Sequence, residues 1–229
     1  MTLREHISRY LQPGHYIDSQ SPEVITFADA ATFGAISNRE KAIALFEAVR
    51  DRIWYDPYSV MLDPDDYRAS VISRQAAAFC VPKAILLAAS ARAVGIPAAV
   101  GFADVKNHLS STKLRDLMQS EVFTYHGYAE LYVNDRWLKV TPTFNRELCA
   151  RFGVRPLVFD GATDALFHEY DLQNRQHMEY VRDRGSFAEP PVDDILRDFH
   201  KNYPRLMQYV SSRTVGGMIE DKAFSSKQL

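Results

Sequence analysis

The chain has 229 residues, of which 46% are hydrophobic and 24% charged, a composition typical of a globular protein and unlike that of a disordered one. Its 27 basic and 29 acidic residues nearly balance, so the sequence predicts no electrostatic surface for nucleic acid. The N-terminus has no apolar run of signal-peptide length, and the most apolar segment, 84–93, is too short to span a bilayer. These features predict a cytoplasmic protein that does not act at a membrane.

Two elements are predicted before residue 60. The segment Val24–Phe27 lies beyond the turn signal at Pro22 and predicts a short strand. Ser37 and the residue after it resemble a helix start, and apolar residues then recur at helical spacing as far as Ile53. The sequence therefore predicts a helix with one buried face that ends near Tyr55.

A second helix is predicted to begin at Cys80. Pro82 suits the first helical turn, where a missing N–H costs nothing. Gly95 provides a C-terminal cap, and Pro97 prevents continuation. The many alanines of this segment favour close packing, so we expect the helix to lie at the centre of the fold.

The rest of the chain predicts mainly antiparallel strands. Alternating apolar residues before and after a tight turn at Asn134 predict a hairpin. The elements predicted after Gly95 are strands at Ile96–Ala103, Gly127–Val133 and Arg136–Val140 and helices at Lys113–Met118 and Asp193–Tyr203. Helices followed by a run of antiparallel strands indicate an α+β fold.

Cys80 and His126 are the residues that predict chemistry. The chain has two cysteines and no Cys-x-x-Cys pair, so it predicts neither a disulfide framework nor a cysteine metal site. A cysteine at a helix N-terminus beside an imidazole can have its thiol pKa lowered from about 8.5 to roughly 3–4. His126 precedes a strand that can pair beside the helix, so it can serve as the base. Cys149 has no such context and is predicted to be a buried core thiol.

Three ordered motifs resemble the transglutaminase-like superfamily, in its microbial transglutaminase and cysteine protease branch. Cys80 heads a helix that ends in Arg-Ala-Val-Gly-Ile-Pro-Ala at 92–98, a histidine opens the segment 126–133, and Trp137 begins the Trp-Leu-Lys-Val-Thr-Pro-Thr segment that ends at Thr143. The match covers residues 39–145.

This resemblance implies an α+β papain-like transglutaminase core, with the central cysteine-bearing helix packed on an antiparallel sheet. It also implies a Cys–His–Asp triad that transfers an acyl group from an amide through a thioester, without an organic cofactor or a metal. The expected partners are a peptide, protein or small amide substrate, and a homo-oligomer is left open. One domain is predicted over residues 1–229, with a core at about 39–145, an N-terminal segment 1–38 and a C-terminal extension 146–229.

The chain departs from the family pattern at Thr141, which stands where the family has its aspartate. A neutral residue at this position of a triad can cost about 10⁴ in rate, largely through the wrong imidazole tautomer. Three orienting groups remain open: Thr141 itself, Asn145, or an acidic residue such as Asp160 or Asp164. The oxyanion hole is expected to use the Cys80 backbone N–H and a second donor, for which Gln75 is the candidate.

Two functions follow from these residues. The first is a thiol enzyme, an amidase, peptidase or acyltransferase, in which Cys80 attacks a carbonyl and His126 carries the proton. The second is a non-catalytic module of the same family that binds a peptide or a partner in the same cleft. The histidines near the C-terminal half, His168 and His177, have a spacing that fits no compact ligand set, so no metal site is predicted.

Overall fold

The computed structural model describes residues 7–108, 110–166, 178–213 and 223–224. Its helices are α1 (Pro22–Thr32), α2 (Asn38–Arg52), α3 (Ala69–Ile72), α4 (Cys80–Ala93), α5 (Thr112–Met118), α6 (Arg146–Phe152), α7 (Val192–Asn202) and α8 (Pro204–Arg213). Its strands are β1 (Trp54–Tyr55), β2 (Ala77–Ala78), β3 (Ala98–Asn107), β4 (Val122–Val133), β5 (Arg136–Val140) and β6 (Met178–Phe187). No helix of the described residues is long and apolar enough to cross a membrane.

Four strands form an antiparallel sheet in the order β5–β4–β3–β6. The predicted hairpin is present, and Asn134 and Asp135 both have a positive φ at its tip, as a tight two-residue turn requires. Strands β1 and β2 form a separate parallel pair in which Tyr55 lies opposite Ala78, two residues before Cys80. The order of helices and strands confirms the predicted α+β fold.

Helix α4 forms the centre of the molecule, as its alanines predict. Every residue from Cys80 to Arg92 is buried. One side of the helix packs on β3 and β4, and helices α1, α2 and α3 cover the rest. Small side chains allow these neighbours to approach closely on all sides, so this helix has no solvent face to define an amphipathic stripe.

Both ends of α4 follow from local sequence. The helix starts at Cys80 with Pro82 in its first turn, and it stops before Gly95, which has a φ of +84° that favours glycine. The buried Arg92 guanidinium then donates to the carbonyls of Ala98, Gln12 and Ala188. Because one side chain satisfies carbonyls from three segments, it fixes the helix end to β3 and to both flanking parts of the chain.

The segment Val24–Phe27 is helical, so the predicted strand is wrong. Ser21 caps the N-terminus of α1 by accepting a hydrogen bond from the Val24 N–H, and Pro22 occupies the first helical position. Val24, Ala28 and Thr32 are buried at four-residue spacing, which is the period of a helix face. The capping signal before the segment therefore outweighed its β-branched composition.

The prediction for α2 is confirmed, since Ser37 and Glu40 form a capping box at its start. His126 lies within β4 rather than at the beginning of a strand, because β4 already starts at Val122.

Helices α7 and α8 form a C-terminal pair that covers the N-terminal end of α4. The helix predicted at 193–203 corresponds to α7, whose buried residues Val192, Ile195, Leu196 and Phe199 share one face. The rings of Phe79 and Phe199 lie 6.0 Å apart, so α7 packs directly against the residue that precedes Cys80. Helix α8 packs against α5, which closes the same end of the molecule from the other side.

Candidate functional site

A cavity lies at the N-terminal end of α4, between that helix and the C-terminal helix pair. Its empty volume, including the open mouth, is about 420 Å³. Cys80, His126 and Tyr55 all line it. The structure therefore brings the predicted nucleophile and the predicted base to one cavity, and it adds a tyrosine that the sequence did not indicate.

Gly127 explains how the histidine strand comes so close to the cysteine helix. A Cβ atom at Gly127 would lie 2.9 Å from Val81 Cα, closer than real Cβ atoms come, and 3.2 Å from the Cys80 carbonyl oxygen, which is also unusually tight. The Gly127 backbone N–H is also near enough to the Cys80 sulfur to act on the pKa of the thiol, which it lowers. The strand thus rests on the first turn of α4, and its neighbouring residue, His126, lines the same cavity as the thiol.

The two side chains are both uncharged at neutral pH. Burial raises the pKa of the Cys80 thiol to about 11, although hydrogen bonds from the backbone N–H groups of Gly127, Val81 and Cys80 itself act in the opposite direction. Burial lowers the pKa of His126 to about 3. This differs from the low thiol pKa expected at a helix start, because desolvation of a buried thiolate outweighs the helix dipole. The resting pair is a neutral thiol and a neutral imidazole.

Thr143 is a polar residue that the structure places against the imidazole. Its Oγ1 lies 3.5 Å from His126 Nε2, at the outer limit of a hydrogen bond, and both side chains are buried. The Thr141 hydroxyl is also buried but has no hydrogen-bond partner among the described residues, and the Thr141 backbone N–H donates to Ala165. The family pattern predicts the orienting residue at position 141. In the structure, the hydroxyl that approaches the histidine belongs to Thr143, two residues further along the chain.

Asn145 is placed away from the imidazole by its own hydrogen bonds. Its Oδ1 accepts from the Tyr55 N–H at 2.7 Å, and its Nδ2 donates to the carbonyls of Arg50 and Ile53. The buried Lys83 Nζ donates to the same two carbonyls. Asn145 and Lys83 together therefore satisfy the C-terminal end of α2 and hold β1 in place.

Asp160 and Asp164 are both engaged outside the cavity. The Asp160 Oδ1 accepts from the Ala162 and Thr163 N–H groups in an exposed turn, and these bonds lower the pKa of its carboxyl. The Asp164 carboxylate accepts from the Lys139 N–H at 2.9 Å. The structure does not bring either aspartate to the cavity that holds His126.

Gln75 lies upstream of Cys80 but does not line the cavity. Its side-chain amide donates to the Met61 sulfur at 3.3 Å, and a thioether is a weak acceptor. Tyr55 does line the cavity, and burial, followed by the negative charge that Cys80 carries once it is ionised, raises the pKa of its hydroxyl well above the ordinary value. A protonated phenol beside the thiol is a potential hydrogen-bond donor.

Tyr125, directly before His126, has a left-handed backbone with a φ of +54°, which is uncommon for a bulky residue. Its N–H donates to Asp104 Oδ1 at 3.1 Å, and the Arg184 guanidinium lies 4.0 Å from the centre of its ring. Arg184 also forms an ion pair with Asp104. This partly buried pair holds the unusual conformation at the start of the histidine segment.

The described residues contain no group of three or more His, Cys, Asp or Glu side chains that could hold a metal ion. His168 and His177 lie outside the described residues. Cys149 is buried in the core near Phe144, and burial raises the pKa of its thiol to about 11.

Several chains of solved structures resemble this chain, including the following two. One is a candidate cysteine protease from Cytophaga hutchinsonii, with 21% identity and a TM-score of 0.46 over 60% of this chain and 42% of that one. The other is described as a TGase, with 18% identity and a TM-score of 0.38 over 62% of this chain and 33% of that one. The chain thus spans less than half the length of either structure. Comparison with curated proteins finds no match.

The model of the transglutaminase-like superfamily core matches residues 25–142. This range is more than half of the chain, and it contains α4, the histidine strand β4 and the hairpin that follows. The chain therefore belongs to the transglutaminase-like superfamily.

Proposed function

We propose that the protein is a thiol enzyme that acts on an amide or acyl bond, with Cys80 as nucleophile and His126 as general base. The observation that carries the proposal is the meeting of the first residue of α4 and the buried histidine of β4 in one cavity. A helix N-terminus and a partner imidazole are what a thiol needs in order to attack as a thiolate.

The neutral state of the pair sets the order of events. An uncharged His126 takes the proton as the Cys80 sulfur bonds to the substrate carbonyl carbon, and the carbonyl electron pair moves to oxygen. That oxyanion accepts hydrogen bonds from N–H groups at the start of α4. The bond to the leaving amine then breaks, His126 returns its proton to the nitrogen, and a thioester remains. Water or an amine resolves the thioester, with His126 again as the base.

Thr143 is the residue proposed to orient the imidazole. When the Thr143 hydroxyl accepts a hydrogen bond from the Nε2–H group, Nδ1 is unprotonated and able to accept the thiol proton. A hydroxyl supplies no charge, so it stabilises the imidazolium less than an aspartate does. We therefore expect a weaker activation than in a triad with a carboxylate.

A second candidate function is a non-catalytic module that binds a peptide or partner in the same cleft. The observations that favour it are the threonine at position 141 and the burial of both candidate catalytic groups. It differs from the enzyme in one measurable respect, because it needs no proton transfer between Cys80 and His126.

The test follows labelling of each cysteine by iodoacetamide between pH 5 and 9. Both thiols have a pKa raised to about 11, so Cys149 is an internal control that has the same acidity and no catalytic base. A thiol without a base loses about tenfold in rate for each pH unit below its pKa. We expect Cys80 to lose much less, since His126 remains neutral throughout this range.

The His126→Ala variant identifies the base. Cys80 in this variant should show the steep slope of Cys149. If wild-type Cys80 already follows the tenfold slope, or if the variant keeps a shallow slope, His126 does not take the proton and the binding module is favoured.

A further inference from the structure

We propose that the cavity beside Cys80 accepts an uncharged, apolar side chain of the acyl substrate and thereby selects the substrate class. This inference rests on the proposed function of Cys80, because it names what that thiol attacks. It concerns the walls of the site, whereas the catalytic proposal concerns the thiol and the imidazole.

The walls of the cavity are apolar and come from several elements. Side chains of α5, β4 and the C-terminal helix pair face the space next to the thiol, among them Leu114, Met118, Phe123, Phe199 and Leu206. No Asp, Glu, Lys or Arg is among the described residues that line it. A charged substrate group would lose its hydration here without gaining a partner, which is strongly unfavourable.

The Tyr203 hydroxyl, on the C-terminal wall of the cavity, already has hydrogen-bond partners within the protein. Tyr203 Oη lies 2.8 Å from the Val122 carbonyl and 3.0 Å from Thr124 Oγ1, and it accepts the Thr124 N–H at 2.6 Å. This network joins the C-terminal helices to β4 and leaves little capacity for a polar substrate group. This wall therefore favours apolar contacts with a substrate over hydrogen bonds.

The size of the space fits one side chain better than a large ligand. The enclosed volume of the cavity, about 40 Å³ without the open mouth, is far below the roughly 300–1,000 Å³ of ligand pockets. Cys80 and His126 occupy part of the lining. A single aliphatic or aromatic group placed next to the reacting carbonyl is the occupant that these walls favour.

The experiment compares three alkylating reagents on Cys80 at pH 10: iodoacetamide, N-benzyl-iodoacetamide and iodoacetate. In each reaction the sulfur forms a bond to the methylene carbon as iodide leaves, and the thiol proton passes to solvent. Each rate is divided by that of the same reagent on the unfolded protein, so intrinsic reactivity cancels. We expect the benzyl reagent to react at least about tenfold faster than iodoacetamide, and iodoacetate at least about tenfold slower, as pocket contacts typically discriminate.

Leu206→Lys should place a cation in the wall, remove the preference for the benzyl reagent and accelerate iodoacetate. Gln208→Lys adds the same charge at an exposed position of α8 and is the matched control. Leu206→Gln, which adds no charge, should also reduce the benzyl preference and covers the case in which the lysine variant does not fold. Equal normalised rates for the two amides in the wild type would overturn the proposal, as would an unchanged ratio in both Leu206 variants.

The ratio of reagent rates tests the apolar cavity, and the pH dependence of labelling tests the catalytic base, so the two proposals can be rejected separately. At pH 10 the fraction of thiolate is the same for every reagent, so the ratio reports the walls whether or not His126 acts as a base. If the cavity is selective but the pH slope is steep, the apolar site is supported and the catalytic proposal is rejected. A shallow slope without selectivity would keep the enzyme and reject the apolar site.

Discussion

Thr143 and Thr141 carry the same hydroxyl group in different surroundings. Thr143 approaches the imidazole, whereas the buried Thr141 hydroxyl has no hydrogen-bond partner among the described residues. A buried hydrogen bond contributes about 0.5–1.5 kcal/mol, and a buried polar atom without one costs about 1–3 kcal/mol. Loss of the hydroxyl should therefore remove a favourable interaction at Thr143 and an unfavourable one at Thr141.

We expect Thr143→Val to slow the labelling of Cys80 at pH 6 by up to about tenfold, which corresponds to one lost hydrogen bond of about 1.4 kcal/mol. Thr141→Val keeps the shape and removes the unpaired hydroxyl, so it should raise the free energy of unfolding by about 1 kcal/mol. Labelling kinetics and urea unfolding measure the two effects. A larger labelling defect in Thr141→Val would make Thr141 the orienting residue instead.

The limits of sequence reasoning are clear at this scale. Cys80 could be identified because its helix start is encoded by its immediate neighbours. Thr143 could not, since its contact joins two segments of the chain that are 17 residues apart and depends on how the hairpin packs. Tyr55 lies in a two-residue strand that gives no periodic signal.

At the scale of elements, the C-terminal end of α2 is held by two buried side chains. Asn145 and Lys83 both donate to the carbonyls of Arg50 and Ile53, and Asn145 alone accepts the Tyr55 N–H. Without the asparagine side chain, the two carbonyls still accept hydrogen bonds from Lys83, but the Tyr55 N–H loses its acceptor. Its role is therefore structural, and it positions β1 next to the candidate site.

Asn145→Ala should lower the free energy of unfolding by about 2–3 kcal/mol, because it breaks buried hydrogen bonds and leaves one donor unsatisfied. Asn38→Ala, at the exposed start of α2, is the matched control and should change stability by less than about 0.5 kcal/mol. Urea unfolding gives both values. The pH slope of Cys80 labelling should be unchanged in Asn145→Ala; a steep slope would instead assign this residue to His126.

Helices were predicted correctly where capping residues mark their ends. The prediction failed where a strand-like composition conflicted with the capping signal. The limits of α4 follow from Pro82 and Gly95, and the start of α2 follows from Ser37. The segment Val24–Phe27 has strand-like residues, yet the cap at Ser21 makes it helical. The position of α7 against Phe79 could not be predicted, because periodicity identifies a buried face and not its partner.

At the scale of the whole molecule, the buried histidine links folding to pH. His126 has a pKa of about 3 in the folded protein and an ordinary value of 6.5, which is the value expected in the unfolded chain. Between these values the unfolded chain binds a proton that the folded protein does not. The folded state therefore loses stability as the pH falls below about 6.5.

From pH 7 to pH 5 this one residue should lower the free energy of unfolding by about 2 kcal/mol, at about 1.4 kcal/mol per pH unit below 6.5. His126→Gln should remove that part of the pH dependence, although its absolute stability will differ. Urea unfolding at pH 5, 6 and 7 gives the comparison. Parallel curves for the two proteins would show that His126 is not a buried neutral group.

The walls of the cavity have a consequence for how such a protein can diverge. Phe199 and Leu206 lie on the C-terminal helices and Tyr203 lies between them, beyond the segment 25–142 that the family model matches. Mutations in these helices can reshape the space beside the thiol without altering the cysteine helix or the histidine strand. Selection can therefore act on the walls of the cavity and on the family core with considerable independence.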